Sequence, residues 1–168
     1  MRAVDRNSYD ELYRSAPDLA DLDTMADERG DPSTALDWLE RAFGFETRII
    51  VDDGQGGVIH SETVFGDGMV LVVGPPRDKA FSPESFAGRH SGSIHIQLQD
   101  GIDAHCERAR AAGARIDREP EDQPYGDRVY TCADPEGHTW SFGQTLRVMT
   151  REEIAAATGR QITEGALR

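Results

Sequence analysis

The sequence predicts an α+β fold built from two tandem modules, each running strand, helix, strand, strand, strand. Three observations predict it: a self-similarity at an offset of 69 residues, an amphipathic helical stretch opening each copy, and short apolar runs bounded by Gly, Asp and Pro. At that offset Asp31 meets Asp100, Ala35 meets Ala104, Arg41 meets Arg110, Ala42 meets Ala111 and Gly44 meets Gly113. The pairs Asp53/Asp122, Gly57/Gly126, Gly68/Gly137 and Gly74/Gly143 continue it. Nine identities thus fall in the 44 positions from 31 to 74 without a gap. Background composition would give roughly three.

In the first copy, DPSTALDWLERAFG predicts a helix with Asp31 as N-cap, Pro32 at the first helical position and Gly44 as the stop. Ala35, Leu36, Leu39, Ala42 and Phe43 give it one apolar face. Strands are expected at 47–51, 58–65 and 69–73. The strand that should precede this helix falls at 24–30, TMADERG, which has neither β propensity nor an apolar face.

The second copy opens on GSIHIQLQD, whose strict alternation sets Ile94, Ile96 and Leu98 on one face and Ser93, His95, Gln97 and Gln99 on the other. DGIDAHCERARAAG then repeats the helix, with Ile102, Cys106, Ala109 and Ala112 inward. Strands follow at 114–117, 128–133 and 138–142, the first two separated by the loop REPEDQPYGD. Capping-box patterns at Ser8–Glu11 and Thr150–Glu153 predict flanking helices, the second ending at Gly159. The organisation is an N-terminal extension, 1–23, partly helical; a first module, 24–74; a loop, 75–91; a second module, 92–145; and a tail with a short helix, 146–168.

Composition narrows the function classes. The chain has 168 residues and a net charge of −13, with no basic cluster, so no nucleic-acid partner is expected, because such binding draws on counterion release by grouped Lys and Arg. Membrane association is not expected either: no apolar run approaches the roughly 20 residues of a span, and MRAVDRNSYD lacks a signal-peptide core. Cytoplasmic residence is the default expectation. Cys106 and Cys132 read as buried apolar residues: two cysteines are too few for a disulfide framework, and there is no CxxC and no Cys/His cluster at zinc-finger spacing. Without GxGxxG, GxxxxGK[ST] or GxSxG, neither nucleotide binding nor serine-hydrolase chemistry has support.

The duplicated module, with ALDWLERAFGF in the first copy and ERARAAGARI and PYGDRVYTCADPEGHTWSFG in the second, resembles the vicinal oxygen chelate superfamily, in particular its glyoxalase/bleomycin-resistance, PhnB-like members. The resemblance covers roughly residues 24–145. It implies a cupped eight-stranded mixed sheet with the helices outside, a homodimer, and a small-molecule partner held in the cup. Its enzymes, of lyase, isomerase or dioxygenase type, hold one divalent metal through four side chains, and register carries those positions onto Thr24, Val72, Ser93 and Ser141. A valine and three hydroxyls are poor ligands, so no metal cofactor is expected at this site.

On the same reading Val70 and Val72 form an apolar cup wall, and Ser93, His95, Gln97, Thr139 and Ser141 a polar one, which suits a small organic ligand. His95 is the candidate acid-base residue. His60 and Glu62, two apart on one strand, are either a base with its orienting carboxylate, displaced metal ligands beside His95, or a solvated outer face. Arg128 and Tyr130 either bind an anionic group or form a salt bridge and a packed aromatic. His105, His138, Trp38 and Trp140 read as structural. Sequestration or metal-free acid-base chemistry in the cup is the function expected, with a metal-dependent enzyme using displaced ligands as the alternative.

Overall fold

A computed structural model describes residues 32–66, 69–73, 83, 87 and 92–163, and for 69–73 the backbone. In chain order the elements are α1 (Ser33–Phe43), β1 (Glu46–Asp52), β2 (Val58–Phe65), β3 (Met69–Val73), β4 (Ile94–Leu98), α2 (Ile102–Ala111), β5 (Arg115–Asp122), β6 (Asp127–Ala133), β7 (Thr139–Thr145) and α3 (Arg151–Thr158). Shifted by 69, the first residues of α1, β1 and β2 fall on those of α2, β5 and β6. The duplication is therefore structural. Both helices also stop at equivalent left-handed glycines, Gly44 (φ 84°) and Gly113 (φ 96°), where a Cβ would be strained.

The described strands form two sheets, an antiparallel β1-β2-β3 and a mixed β4-β7-β6-β5. All pairings are antiparallel except β4 with β7, which run parallel with Ile94 opposite Trp140 and His95 opposite Ser141. Crossing over through α2 is what makes a parallel pair possible. The expected strand at 24–30, and the Ser8–Glu11 cap, lie outside the described residues, so seven of the eight expected strands are described.

Several boundaries differ from expectation. Pro32 stands at the N-cap of α1, its carbonyl accepting from the Ala35 and Leu36 amides, while Asp31, expected as the cap, lies outside the described residues. Gly101 rather than Asp100 opens α2, and the first amide, that of Ile102, is satisfied from another element, by Gln144 Oε1 at 3.0 Å. β5 runs on through Asp122, across residues expected to be loop, because it is an edge strand whose irregular register tolerates Pro120. The Thr150/Glu153 capping box and the Gly159 stop form as expected.

The core lies between the helices and the β4-β7-β6 face. Ile96, Leu98, Tyr130, Cys132, Trp140 and Phe142 meet Leu39, Ala42, Phe43, Ile102, Cys106 and Ala109. Phe43, the last residue of α1, is its hub, with ring centroids 4.9 Å from Trp38, 4.9 Å from Trp140 and 4.8 Å from Phe142. Aromatic pairs at these separations add about 0.5–1.5 kcal/mol each beyond their burial. The first helix is thus packed into the second module's core. Polar bonds fix the junction: Trp38 Nε1 donates to the Ala112 carbonyl at 2.8 Å. His138 and Trp140 both bond the buried Asp134 carboxylate, locking the DPEG turn.

Candidate functional site

The alternation of β4 and β7 separates two faces. One buries Ile96, Leu98, Trp140 and Phe142; the other carries His95, Gln97, Ser141, Gly143 and Thr145 away from the helices. On that second face a hydrogen-bonded chain runs across the strands. His95 Nδ1 lies 3.0 Å from Ser141 Oγ, His95 Nε2 lies 3.2 Å from Gln97 Oε1, and Gln97 Nε2 donates to Thr145 Oγ1 at 3.0 Å. A carbonyl oxygen only accepts, so Nε2 carries the imidazole proton and Nδ1 accepts from the Ser141 hydroxyl. No carboxylate orients His95 in this chain, so Ser141 is not set up as a nucleophile of the Ser-His-Asp kind.

Gly143 makes room for this chain. A Cβ there would lie 2.6 Å from Gln97 Oε1 and 3.1 Å from His95 Cε1. Sequence reasoning missed it, although a glycine between Phe142 and Gln144 on an otherwise regular closing strand signals a close approach by something.

Along β4 opens a groove of about 820 Å³ whose lining includes His95, Gln97, Asp100, Arg108 and Phe65. That is the size of a drug-sized ligand site. His105 closes its floor, with Nε2 donating to the Phe43 carbonyl at 3.0 Å and Nδ1 accepting from Tyr130 Oη at 2.7 Å. Burial pushes this imidazole down to about 4, against a smaller opposing pull from the Phe43 carbonyl. The histidine is neutral and structural.

The remaining expected site residues fall as follows. Tyr130 is fully buried on the helix face, opposite Phe142, and packs rather than lining the polar face; burial pushes its phenol well up. Arg128 shares that face and is held by Asp103 at 2.8 Å and Asp122 at 2.6 Å, so its charge is spent on the protein; those carboxylates raise its pKa further. For this pair the salt bridge and packed aromatic are what the structure contains. Thr139 stands in register with Ala133, and Ser93 is exposed just ahead of β4. Val70 and Val72 are in β3, paired with Val64 and Glu62. On β2, His60 Nε2 sits 3.4 Å from Glu62 Oε1; Glu62 is buried, which the solvated-face reading did not foresee.

Among the described residues no three His, Cys, Asp or Glu side chains come together as a metal site, so His60 and Glu62 are not joined with His95. The positions equivalent to the family's metal ligands do not fit a divalent cation. Thr24 lies outside the described residues, Val72 has no lone pair, Ser93 precedes the strand, and Ser141 Oγ is engaged by His95.

With this fold and this face, the protein is a member of the Glyoxalase/Bleomycin resistance protein/Dioxygenase superfamily, whose family model matches residues 28–142. It is 35% identical over 135 residues to an uncharacterized protein of Mycobacterium tuberculosis, covering 78% of each chain. Among solved structures it is similar to TioX from Micromonospora sp. ML1, at 33% identity and a TM-score of 0.55, covering 75% of this chain and 95% of that one. The fold is shared with FosX of Listeria monocytogenes, a fosfomycin resistance protein solved with Mn(II) and sulfate, at 17% identity and a TM-score of 0.54, covering 85% and 98% of the two chains. It is also shared with TnmS3, an antibiotic-binding protein from Streptomyces sp. CB03234, at 18% identity and a TM-score of 0.51, covering 73% and 91%. No helix among the described residues is long and apolar enough to cross a membrane.

Proposed function

We propose that this protein binds a small organic molecule along the polar face of β4 and β7, without a metal, and sequesters it. The observation that carries the reading is that His95 and Gln97, which line the 820 Å³ groove, are held in place from behind by Ser141 and Thr145 through one hydrogen-bonded chain. Such a wall supplies fixed donors and acceptors to orient a ligand, while Phe65 supplies an apolar contact. Binding is favoured over catalysis because both His95 nitrogens are already engaged and no acid orients the ring. The use of this fold for antibiotic binding in TnmS3 accords with it. A homodimer in the cytoplasm completes the proposal, and light scattering tests its oligomeric part.

The central test titrates metal-free bleomycin and fosfomycin calorimetrically into protein held in chelator. The expected result is binding of at least one, weakened tenfold or more by His95→Ala or Gln97→Ala while the melting temperature holds. Absence of binding until Mn(II) is supplied would overturn the metal-free reading, and absence under both conditions, for these compounds and for small aromatic acids alike, would overturn ligand capture.

A further inference from the structure

We infer that Arg108 is an anion-recognising residue of this groove, so that the ligand class is a small organic acid, a carboxylate or phosphonate carried on an aromatic or other apolar body. The inference rests on the binding reading above and narrows it. Its starting point is how Arg108 is held. Nε donates to the Ala42 carbonyl at 3.2 Å and Nη2 to the Phe43 carbonyl at 2.8 Å. These bonds fix the guanidinium plane against the end of α1, and Gly44 permits the approach, since a Cβ there would lie 2.9 Å from Nη2.

Both partners are neutral carbonyls. Among the described residues Arg108 makes no ion pair, a state it shares with Arg41 and Arg160 but not with Arg48, Arg110, Arg115, Arg118, Arg128 and Arg147, each of which faces a carboxylate; of the three only Arg108 lines the groove. The α1 C-terminus, the negative end of its dipole, favours the guanidinium there without forming an ion pair, and the side chain remains exposed to solvent and to an incoming anion. Nη1 has no bond among the described residues, and the residue lines the groove together with His95, Gln97 and Phe65. A pre-oriented arginine with a free edge is the arrangement that takes a carboxylate or phosphonate oxygen pair. Phe65, on the same lining and edge-on to Phe45 at 5.5 Å, offers a held ring for the apolar body. The lining also carries a carboxylate, Asp100, whose charge opposes any anion, so an acid preference reads the balance between it and Arg108.

The experiment compares charged and neutral versions of one shape. Benzoate, naphthoate and phenylphosphonate, with the matched amides benzamide and naphthamide, are titrated into the full-length protein and followed by ligand-detected NMR and calorimetry. The acids are expected to bind at least tenfold more tightly than their amides, with the preference falling as salt is added. Arg108→Gln should abolish the preference and Arg108→Lys should keep part of it. If the glutamine variant fails to fold, the lysine variant and the salt dependence of the native protein decide. Equal binding of acids and amides, still weakened by His95→Ala, would remove the role of Arg108 and leave the binding reading intact. If no probe binds, or if His95→Ala changes nothing, both fall together.

Discussion

His105 of α2 and Tyr130 of β6 meet inside the core at 2.7 Å, imidazole Nδ1 to phenol oxygen, while the other ring nitrogen reaches across to the Phe43 carbonyl of α1. One buried side chain thus ties the first helix to the second module. The tie works with a neutral ring, and burial holds the folded pKa down at about 4. An unfolded chain binds a proton at this histidine near 6.5, so over the window between the two values the unfolded state carries more protons. Stability is therefore complete above 6.5 and is lost as pH falls toward 4. The loss approaches about 3 kcal/mol at the lower end. Urea melts from pH 7 to 4 should show this decline, and His105→Gln should flatten it; an equal slope in both proteins would assign the acid sensitivity elsewhere.

Gly143→Ala should act on the site more than on the fold. The new methyl meets Gln97 Oε1 at 2.6 Å, and Gln97 is an exposed, flexible side chain that can swing aside. Stability should change by about 1 kcal/mol or less. The His95–Gln97 contact should break, and the His95 ring resonances and ligand affinity should change with it. A collapse of the melting temperature would show that backbone, not Gln97, had to move.

Gly126→Ala should do the reverse. Its φ is 96° and a Cβ would come 2.2 Å from the Arg147 carbonyl, a backbone atom with nowhere to go. The Gly126 carbonyl also accepts from the Leu146 and Arg147 amides, tying the chain after β7 to the β5–β6 turn. Strain of about 1–3 kcal/mol is expected. Hydrogen exchange at Leu146 and Arg147 should quicken, while His95 is undisturbed.

Both cysteines should resist modification in the folded protein. Burial pushes the Cys106 thiol up to about 11 and the Cys132 thiol up to about 12, so almost no thiolate exists at neutral pH. Iodoacetamide at pH 8 should leave both intact and label both in denaturant. Rapid labelling of either without denaturant would mean that the core opens locally.

What the sequence discloses depends on how local the cause is. β2 and β3 form over the residues expected, and Ile96, Leu98, Trp140 and Phe142 turn inward as alternation requires, because strand period is a property of neighbours. Tyr130 is harder: only its register against Phe142 reveals which face it shares, and register is a tertiary fact. The α2 amide capped by Gln144, 42 residues away, is likewise invisible to a cap rule that searches the adjacent turn. Nothing local in the sequence distinguishes Arg108 from the other charges of α2. Its significance appears only when the end of α1 is set against it.

The parallel pairing of β4 with β7 has a consequence for biosynthesis. Ile94 meets Trp140 and His95 meets Ser141, so β4 leaves the ribosome well before its neighbour exists, and antiparallel β5 and β6 must come out in between. Nascent chains stalled before residue 140 would hold His95 and Gln97 on a strand that lacks its β7 partner, available to chaperones. The paired β4–β7 face is then among the last parts of the fold the polypeptide completes.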